Sequence, residues 1–158
     1  MKKTFILSLF ISIFLQAEEL KVISKSFSGN QQKGESIFVG DVVVTKGEDQ
    51  LKSDRLTIYI DKSNKPTKYI AEGNVDFYIV TQMREIYKGK AQKAIYLPEI
   101  EEYQFYTKVD LIRVDEYRKI SGDKVIVNSI KGSASAQSAT NEPVIMIFDL
   151  KDKDGDKK

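Results

Sequence analysis

The sequence predicts an all-β domain, and three observations support this fold class. Between Leu20 and Asn128 the chain is rich in Tyr, Val, Ile, Phe and Thr, and its polar and apolar residues alternate with a period of two. Turn-forming residues interrupt these alternating runs at short intervals. No segment of useful length shows the 3.6-residue period of an amphipathic helix. Typical strand and loop lengths then allow about nine to twelve short strands.

The N-terminal segment has the layout of a secretory signal peptide. Lys2 and Lys3 precede an apolar run from Phe5 to Leu15, and the small residue Ala17 ends the stretch. A transmembrane anchor is the alternative, but as a helix this run would cover only about half of the ~30 Å hydrocarbon thickness of a bilayer. We therefore expect cleavage after Ala17.

The composition excludes several kinds of chemistry. The chain has no cysteine and no histidine, so it offers no disulfide, no thiolate nucleophile and no imidazole base. It has 25 basic and 23 acidic residues, and removal of the two signal-peptide lysines leaves 23 of each. This balance argues against nucleic acid as a partner, because nucleic-acid binding needs a surplus of Lys and Arg. We expect no cofactor and no metal site.

Predicted strands of a first kind recur along the chain and share the sequence motif Gly-x-Val-x-apolar. They start at Gly40, Gly73 and Thr107, at intervals of 33 and 34 residues, and Thr replaces Gly in the last copy. A small residue at the start of a bulky apolar face fits a sheet that bends sharply or that another backbone approaches closely. We therefore expect a bend at these positions. At Thr107 the sequence does not decide whether a bend forms, because Thr replaces the glycine.

Strands of a second kind lie between the first ones and begin with a small residue and a mostly polar pair, at Ser53, Ala91 and Gly122. In the copy at Ser53 the apolar alternation slips by one residue, since Leu51 and Ser53 are out of phase with Leu56. Such a slip indicates a β-bulge or a corner. Repeated bends predict either two facing sheets or a rolled solenoid.

One face of each strand is apolar, and its residues are the candidate site residues. They are either the core of an ordinary β-sandwich or the lining of an apolar trough, and alternation alone favours the core. The candidates are Phe38, Val42, Val44, Leu56, Ile58, Val75, Phe77, Ile79, Tyr96, Val109, Leu111, Val125 and Val127.

The C-terminal part differs in composition from the repeats. Small polar residues in the sequence KGSASAQSATNEP are typical of a flexible linker, the apolar VIMIFDL is a possible strand, and KDKDGDKK is a charged tail. The predicted organisation is a signal peptide at 1–17, one β-domain at 18–130, a Ser/Ala-rich linker at 131–143, a possible final strand at 144–150 and a tail at 151–158.

Short motifs in this order resemble the OstA-like family. The sequence GDV begins at Gly40, AEGNV at Ala71, YKGKAQKAIY at Tyr87 and ISGDKVIV at Ile120. The resemblance covers about residues 21–128. It implies a twisted β-jellyroll, a V-shaped roll of two sheets built from repeated strand pairs, and a function in lipopolysaccharide transport through the periplasm of Gram-negative bacteria. The segment 131–150 has no counterpart in the family pattern.

The resemblance also implies a mechanism without catalysis. An apolar trough would shelter the lipid A acyl chains of lipopolysaccharide, since each methylene removed from water gains about 0.8 kcal/mol. The resemblance favours lipid lining over plain core packing for some of the candidate residues. Copies would stack head to tail through their terminal strands, between inner-membrane and outer-membrane components of the lipopolysaccharide transport machinery.

Two other classes of protein are alternatives. The adjacent carboxylates Glu101–Glu102 and Asp115–Glu116 could serve acid–base catalysis, but they fall in predicted turns and the sequence shows no apolar pocket beside them. A structural or adhesive exported β-repeat protein with a packed core would share the repeats and the export signal. Lipid uptake distinguishes the transport protein from this second alternative.

Overall fold

The computed structural model describes residues 19–139 and 142–148, which form ten antiparallel strands in one sheet. The strands are β1 (Leu20–Ile23), β2 (Ser26–Asn30), β3 (Glu35–Lys46), β4 (Asp49–Ile60), β5 (Pro66–Val80), β6 (Ile86–Leu97), β7 (Glu102–Arg113), β8 (Arg118–Asn128), β9 (Ser133–Gln137) and β10 (Ile145–Phe148). The predicted all-β fold class is confirmed. The predicted signal peptide and charged tail lie outside the described residues.

The strands follow one another as an antiparallel meander. The order in the sheet is β1-β3-β4-β5-β6-β7-β8-β10, with β2 also paired to β3 and β9 also paired to β8. At each edge of the sheet two short strands therefore lie one after the other along a single long strand. No helix long and apolar enough to cross a membrane occurs among the residues that the structure describes.

The long strands are interrupted near their middle by β-bulges. The pairing of β3, β5 and β7 with the following strand shifts between Val39 and Val42, between Glu72 and Val75, and between Tyr106 and Val109. Each shift contains two consecutive residues with positive φ, a conformation that favours glycine. These pairs are Gly40 (88°) and Asp41 (45°), Gly73 (80°) and Asn74 (47°), and Thr107 (63°) and Lys108 (52°).

The bends therefore occur where the first-kind motif predicts them, and the third bend forms without glycine. The slip in apolar phase predicts a bulge on the second kind of strand, whereas the structure places the extra residue on the first kind: Gly40 and Asp41 together lie opposite the single residue Asp54. The predicted slip of the apolar phase is nevertheless present in β4. Ser53 and Leu56 are both buried while the two residues between them are exposed.

The bulges divide the sheet into two facing layers that share the same strands. Phe77 on β5 stacks on Phe105 of β7 with ring centroids 3.9 Å apart, although β6 separates these strands in the sheet. This contact therefore runs between layers. The first layer contains residues 35–39, 55–60, 66–72, 93–97, 102–106 and 124–128, and the second contains residues 42–46, 49–53, 75–80, 86–91, 109–113 and 118–122.

The core lies between the two layers. Its largest fully buried side chains come from β3, β5, β7 and β8, and full burial of each one contributes about 1.5–3 kcal/mol relative to exposure. These side chains are Phe77, Phe105, Leu111, Val42, Val75, Val109, Val125 and Val127. Because each long strand contributes to both layers, this core also fixes the angle of each bend.

The C-terminal segment differs from the predicted linker. Ser133–Gln137 forms β9 and pairs with residues 124–128 of β8, within the stretch predicted to be a linker at 131–143. Pairing with the β8 edge satisfies backbone groups whatever the side chains, which outweighs the low strand propensity of Ser and Ala. β10 lies inside the predicted final strand at 144–150, and residues 149 and 150 are outside the described residues.

The left-handed conformation of Thr107 predicts a stabilising substitution. A β-branched residue at φ 63° is strained by roughly 1–2 kcal/mol, while glycine adds roughly 0.5–1 kcal/mol of unfolded-chain entropy. The Thr107 side chain is exposed and loses no core contact. We expect Thr107→Gly to raise the free energy of unfolding by up to about 1 kcal/mol, measured by urea denaturation with circular dichroism.

The matched control is Gly73→Ala at the equivalent position of β5. Its φ is 80°, and a Cβ atom there would collide with the Asp54 carboxylate, so we expect destabilisation by more than about 1 kcal/mol. A Thr107→Gly protein less stable than the original chain would contradict the assignment of strain to this bulge.

Candidate functional site

An apolar cavity opens between the layers where two small residues meet. Ala71 on β5 is directly opposite Ala94 on β6, in a cross-strand row that continues to Leu56 on one side and Phe105 on the other. The neighbouring positions carry large side chains, so the two alanines leave space beneath them. The cavity therefore results from side-chain size at one paired position.

The apolar cavity has a volume of about 80 Å³. An empty apolar cavity of about 150 Å³ holds a benzene ring, so this one accommodates a few methylene groups. Its walls come from both layers and are mostly aliphatic and aromatic. They are Leu20, Val44, Lys46, Asp49, Gln50, Leu51, Leu56, Tyr69, Ala71, Ile79, Ala94, Ile95, Tyr96, Tyr103 and Phe105.

The predicted site residues divide into three groups. Val44, Leu56, Ile79 and Tyr96 line the apolar cavity. Phe38 is partly buried against the core and contacts Phe27 of β2, with ring centroids 5.0 Å apart. The remaining eight are buried core residues that do not line this cavity: Val42, Ile58, Val75, Phe77, Val109, Leu111, Val125 and Val127.

A ladder of three tyrosines forms part of the wall of the apolar cavity. Tyr69, Tyr96 and Tyr103 are cross-strand neighbours on β5, β6 and β7. Their ring centroids are 5.7 Å apart for Tyr69–Tyr96 and 4.4 Å apart for Tyr96–Tyr103. The Nζ atom of Lys46 lies 5.6 Å from the centroid of the Tyr96 ring. Burial raises the pKa of Tyr96 to about 12, so these hydroxyls are neutral hydrogen-bonding groups at neutral pH.

A second cavity lies on the other side of the Tyr96–Tyr103 pair and is polar. Its volume is about 330 Å³, and it shares Lys46, Asp49, Tyr96 and Tyr103 with the apolar cavity. The other walls of this polar cavity come from the end of β5 and from turns of both layers. They are Glu48, Val80, Thr81, Gln82, Arg84, Glu101 and Ser129. An apolar and a polar compartment therefore adjoin at one aromatic wall.

Three hydrogen bonds, here called the rim bonds, join the two layers beside these cavities. The Tyr103 hydroxyl donates to Asp49 Oδ2 at 2.9 Å. Gln82 donates from its backbone N–H to Ser129 Oγ at 3.1 Å and from its side-chain amide to Glu101 Oε2 at 2.6 Å. A further bond, within the second layer and not one of the rim bonds, runs from the backbone N–H of Val80 to Asp49 at 2.9 Å. The layers are thus closed here by polar contacts.

Eleven of the fifteen walls of the apolar cavity are not among the site residues predicted from the sequence. Leu51, Ala71 and Ala94 have the apolar phase of their strands, so the alternation could have included them. Leu20 and Tyr69 belong to strands whose register is visible only in the structure. Tyr103 is in the predicted strands, but its contact with Asp49 joins residues 54 positions apart and leaves no local signal.

The carboxylate pairs considered for catalysis have structural contacts. Asp115 and Glu116 accept from Arg113 at 3.1 Å and 2.9 Å. Glu101 accepts from Gln82, and Glu102 accepts from the Gln104 amide at 2.7 Å. Over residues 19–139 and 142–148, no group of three or more carboxylates could hold a metal ion.

The fold and the paired cavities define a class of protein: an unclosed antiparallel β-roll with an apolar interior that opens at a polar rim. The chain belongs to the LptA/(LptD N-terminal domain) lipopolysaccharide transport protein family, whose sequence profile matches residues 21–133. The resemblance to the OstA-like family is thereby confirmed. No curated protein matches the chain by sequence.

A solved structure has a similar fold. It is the crystal structure of LptH from Pseudomonas aeruginosa, described as the LptA homologous periplasmic component of the conserved lipopolysaccharide transport device. The match has a TM-score of 0.73 at 17% identity and covers 84% of this chain and 96% of that chain. At this identity the match shows a similar fold only. The fold agrees with the predicted β-jellyroll of two sheets.

The bond between Tyr103 and Asp49 predicts how the rim contributes to stability. Tyr103→Phe keeps the ring in the ladder but removes one of the donors to Asp49, which retains the N–H of Val80. We expect a loss of about 1 kcal/mol in the free energy of unfolding at pH 7. Tyr59→Phe, which keeps its ring beneath Lys68, should change it by less than about 0.5 kcal/mol.

The same bond predicts a dependence on pH. Burial raises the pKa of Tyr103 well above its usual value, and the Asp49 carboxylate raises it further. The contribution of Tyr103 to stability is therefore complete below the unfolded pKa of about 10 and is lost as pH rises above it. Between pH 9 and 11 the midpoint of urea unfolding should fall more steeply for the original chain than for Tyr103→Phe. Parallel curves would contradict this assignment.

Proposed function

We propose that the protein is a non-enzymatic periplasmic carrier that shelters the acyl chains of lipopolysaccharide between its two layers during transit from the inner to the outer membrane. The observation that carries this proposal is the apolar cavity beside a polar rim in a member of a lipopolysaccharide transport family. The periplasmic location of the similar LptH and the predicted signal peptide support the compartment.

The size of the cavity sets a condition on this function. A cavity of about 80 Å³ takes a few methylenes, so a complete acyl chain enters only when the layers move apart. The rim bonds hold the layers together at this point, and each contributes about 1 kcal/mol. Each methylene that leaves water gains about 0.8 kcal/mol. Entry of a chain can therefore offset the loss of the rim bonds.

The exposed edges of the sheet favour the hypothesis that copies of the protein stack into a bridge. β10 is an edge strand whose four residues are all apolar and about half exposed. At the other edge Ile23 and Phe27 are exposed. Proteins usually protect such edges with charged residues, and an unprotected edge pairs readily with another strand. The two edges differ in sequence, so a contact between them is head to tail, and repeated contacts of this kind extend into a filament when the rotation between copies does not close a ring.

Photocrosslinking in cells tests the cargo and the position of the lipid. A photoreactive residue replaces Leu51, which lines the apolar cavity, and in a second protein it replaces the adjacent Lys52, which is on the outer face. We expect lipopolysaccharide adducts at Leu51 and at least about tenfold fewer at Lys52, because neighbouring residues of a strand point to opposite faces. Adducts are measured by immunoblotting.

A third position, Phe77, distinguishes the cavity from the closed core. Phe77 is 1% exposed and packs on Phe105, so we expect weaker adducts there than at Leu51. Absence of adducts at all three positions in a folded, exported protein would favour the alternative of a structural or adhesive β-repeat protein with a packed core.

Stacking predicts that a charge on β10 weakens assembly. Ile147, with 54% of its surface exposed, becomes buried when another strand covers this edge. We expect Ile147→Lys to raise the dissociation constant of self-association at least tenfold, measured by sedimentation equilibrium. Ile100→Lys is the matched control, because Ile100 is 46% exposed but lies in the turn between β6 and β7. Equal weakening by both substitutions would argue against the edge.

A further inference from the structure

The polar cavity carries a mixed set of hydrogen-bonding groups. Its walls include two cations, Lys46 and Arg84, and three carboxylates, Glu48, Asp49 and Glu101. Amide and hydroxyl groups of Gln82, Thr81 and Ser129 complete the set. A phosphate group would meet more negative than positive charge here. A sugar can both donate to the carboxylates and accept from the cations and amides, because each of its hydroxyls is donor and acceptor.

Two strained turn residues contribute long charged side chains to this polar cavity. Arg84 has φ 64° and Glu101 has φ 46°, and glycine or asparagine suits such left-handed turn positions better. They belong to turns of different layers. Arg84 makes an ion pair with Glu48, but both side chains are more than half exposed, so the pair adds little stability. The stability cost of this backbone conformation points to a functional use of the side chains.

The polar cavity also adjoins the proposed acyl-chain site. Tyr96 and Tyr103 are walls of both cavities. Tyrosine has an apolar ring and a polar hydroxyl, which suits the boundary between the chain and the head of an amphiphile. A bound amphiphile could therefore extend from one cavity into the other.

We propose that the polar cavity binds the uncharged, hydroxyl-rich sugar part of a glycolipid while an acyl chain of the same molecule occupies the apolar cavity. Arg84 donates to sugar hydroxyls in this arrangement, and Glu101 accepts from them. This inference rests on the proposed function and adds a headgroup preference to it: sugar is favoured over phosphate.

Two amphiphiles with the same twelve-carbon chain test the preference. Binding of dodecyl maltoside and dodecyl phosphate is measured by isothermal titration calorimetry on the mature chain, below the micelle concentration of each. We expect dodecyl maltoside to bind at least about tenfold more tightly. Equal affinities, or a preference for the phosphate, would overturn the proposal.

Substitution of the strained residue Arg84 distinguishes an effect on ligand binding from an effect on folding stability. Arg84→Gly removes the guanidinium and relieves the left-handed strain, so we expect an unchanged or higher melting temperature together with about tenfold weaker binding of dodecyl maltoside. Dodecyl phosphate binding should not weaken. Asn64→Gly is the matched control: Asn64 has φ 61° in the turn between β4 and β5 and is not a wall of either cavity, so maltoside binding should not change.

The outcomes distinguish this inference from the proposed function. Maltoside binding by Arg84→Gly at the original affinity would overturn the sugar site, even when lipopolysaccharide adducts form at Leu51 and the carrier function stands. A chain that binds neither amphiphile and gives no adducts at Leu51 would overturn both. Weakened maltoside binding in Arg84→Gly but not in Asn64→Gly supports the site.

Discussion

The structure depends on paired left-handed residues in the middle of β3, β5 and β7. Without these bends the strands would form one flat sheet with no interior, because an antiparallel meander does not bury its own apolar face. The bends fold each strand over itself, so residues of one strand pack on both sides of the same core. Non-glycine residues in this conformation cost roughly 1–2 kcal/mol each. Burial of Phe77, Phe105 and the surrounding valines compensates for this strain.

The sheet forms its two layers by bending its strands, and it does not close on itself. This explains why it retains two free edges. The sheet ends in two short strands at each side, one for each layer. A neighbouring copy that pairs with both short strands at one edge would extend both layers at once, and the space between the layers would continue across the contact. The apolar surface of β10 is consistent with such an extension. The same bends that form the interior thus leave its ends open.

The sequence predicts more of the fold than of the candidate site. Alternation and the recurring Gly or Thr at 40, 73 and 107 predicted strands and bends, because each is a local steric requirement. The sequence does not predict β9, because its Ser and Ala residues have low strand propensity and pair through the backbone with the β8 edge. The apolar cavity depends on Ala71 lying opposite Ala94, which follows from the register of two strands. The polar cavity depends on turns that meet across layers, such as Gln82 with Ser129. Neither has a local sequence signature.

If the protein carries lipid as proposed, the position of the rim bonds indicates where its two layers would first separate. Three bonds of about 1 kcal/mol each hold the layers together beside the apolar cavity, so burial of about four methylenes at about 0.8 kcal/mol each is enough to offset them. A few methylenes are also what the cavity holds before any movement. Deeper in the roll, the stacked Phe77–Phe105 pair resists separation more strongly, because parting it exposes aromatic surface to water. Opening should therefore begin at the Tyr103–Asp49 bond and move inward as more of the chain enters.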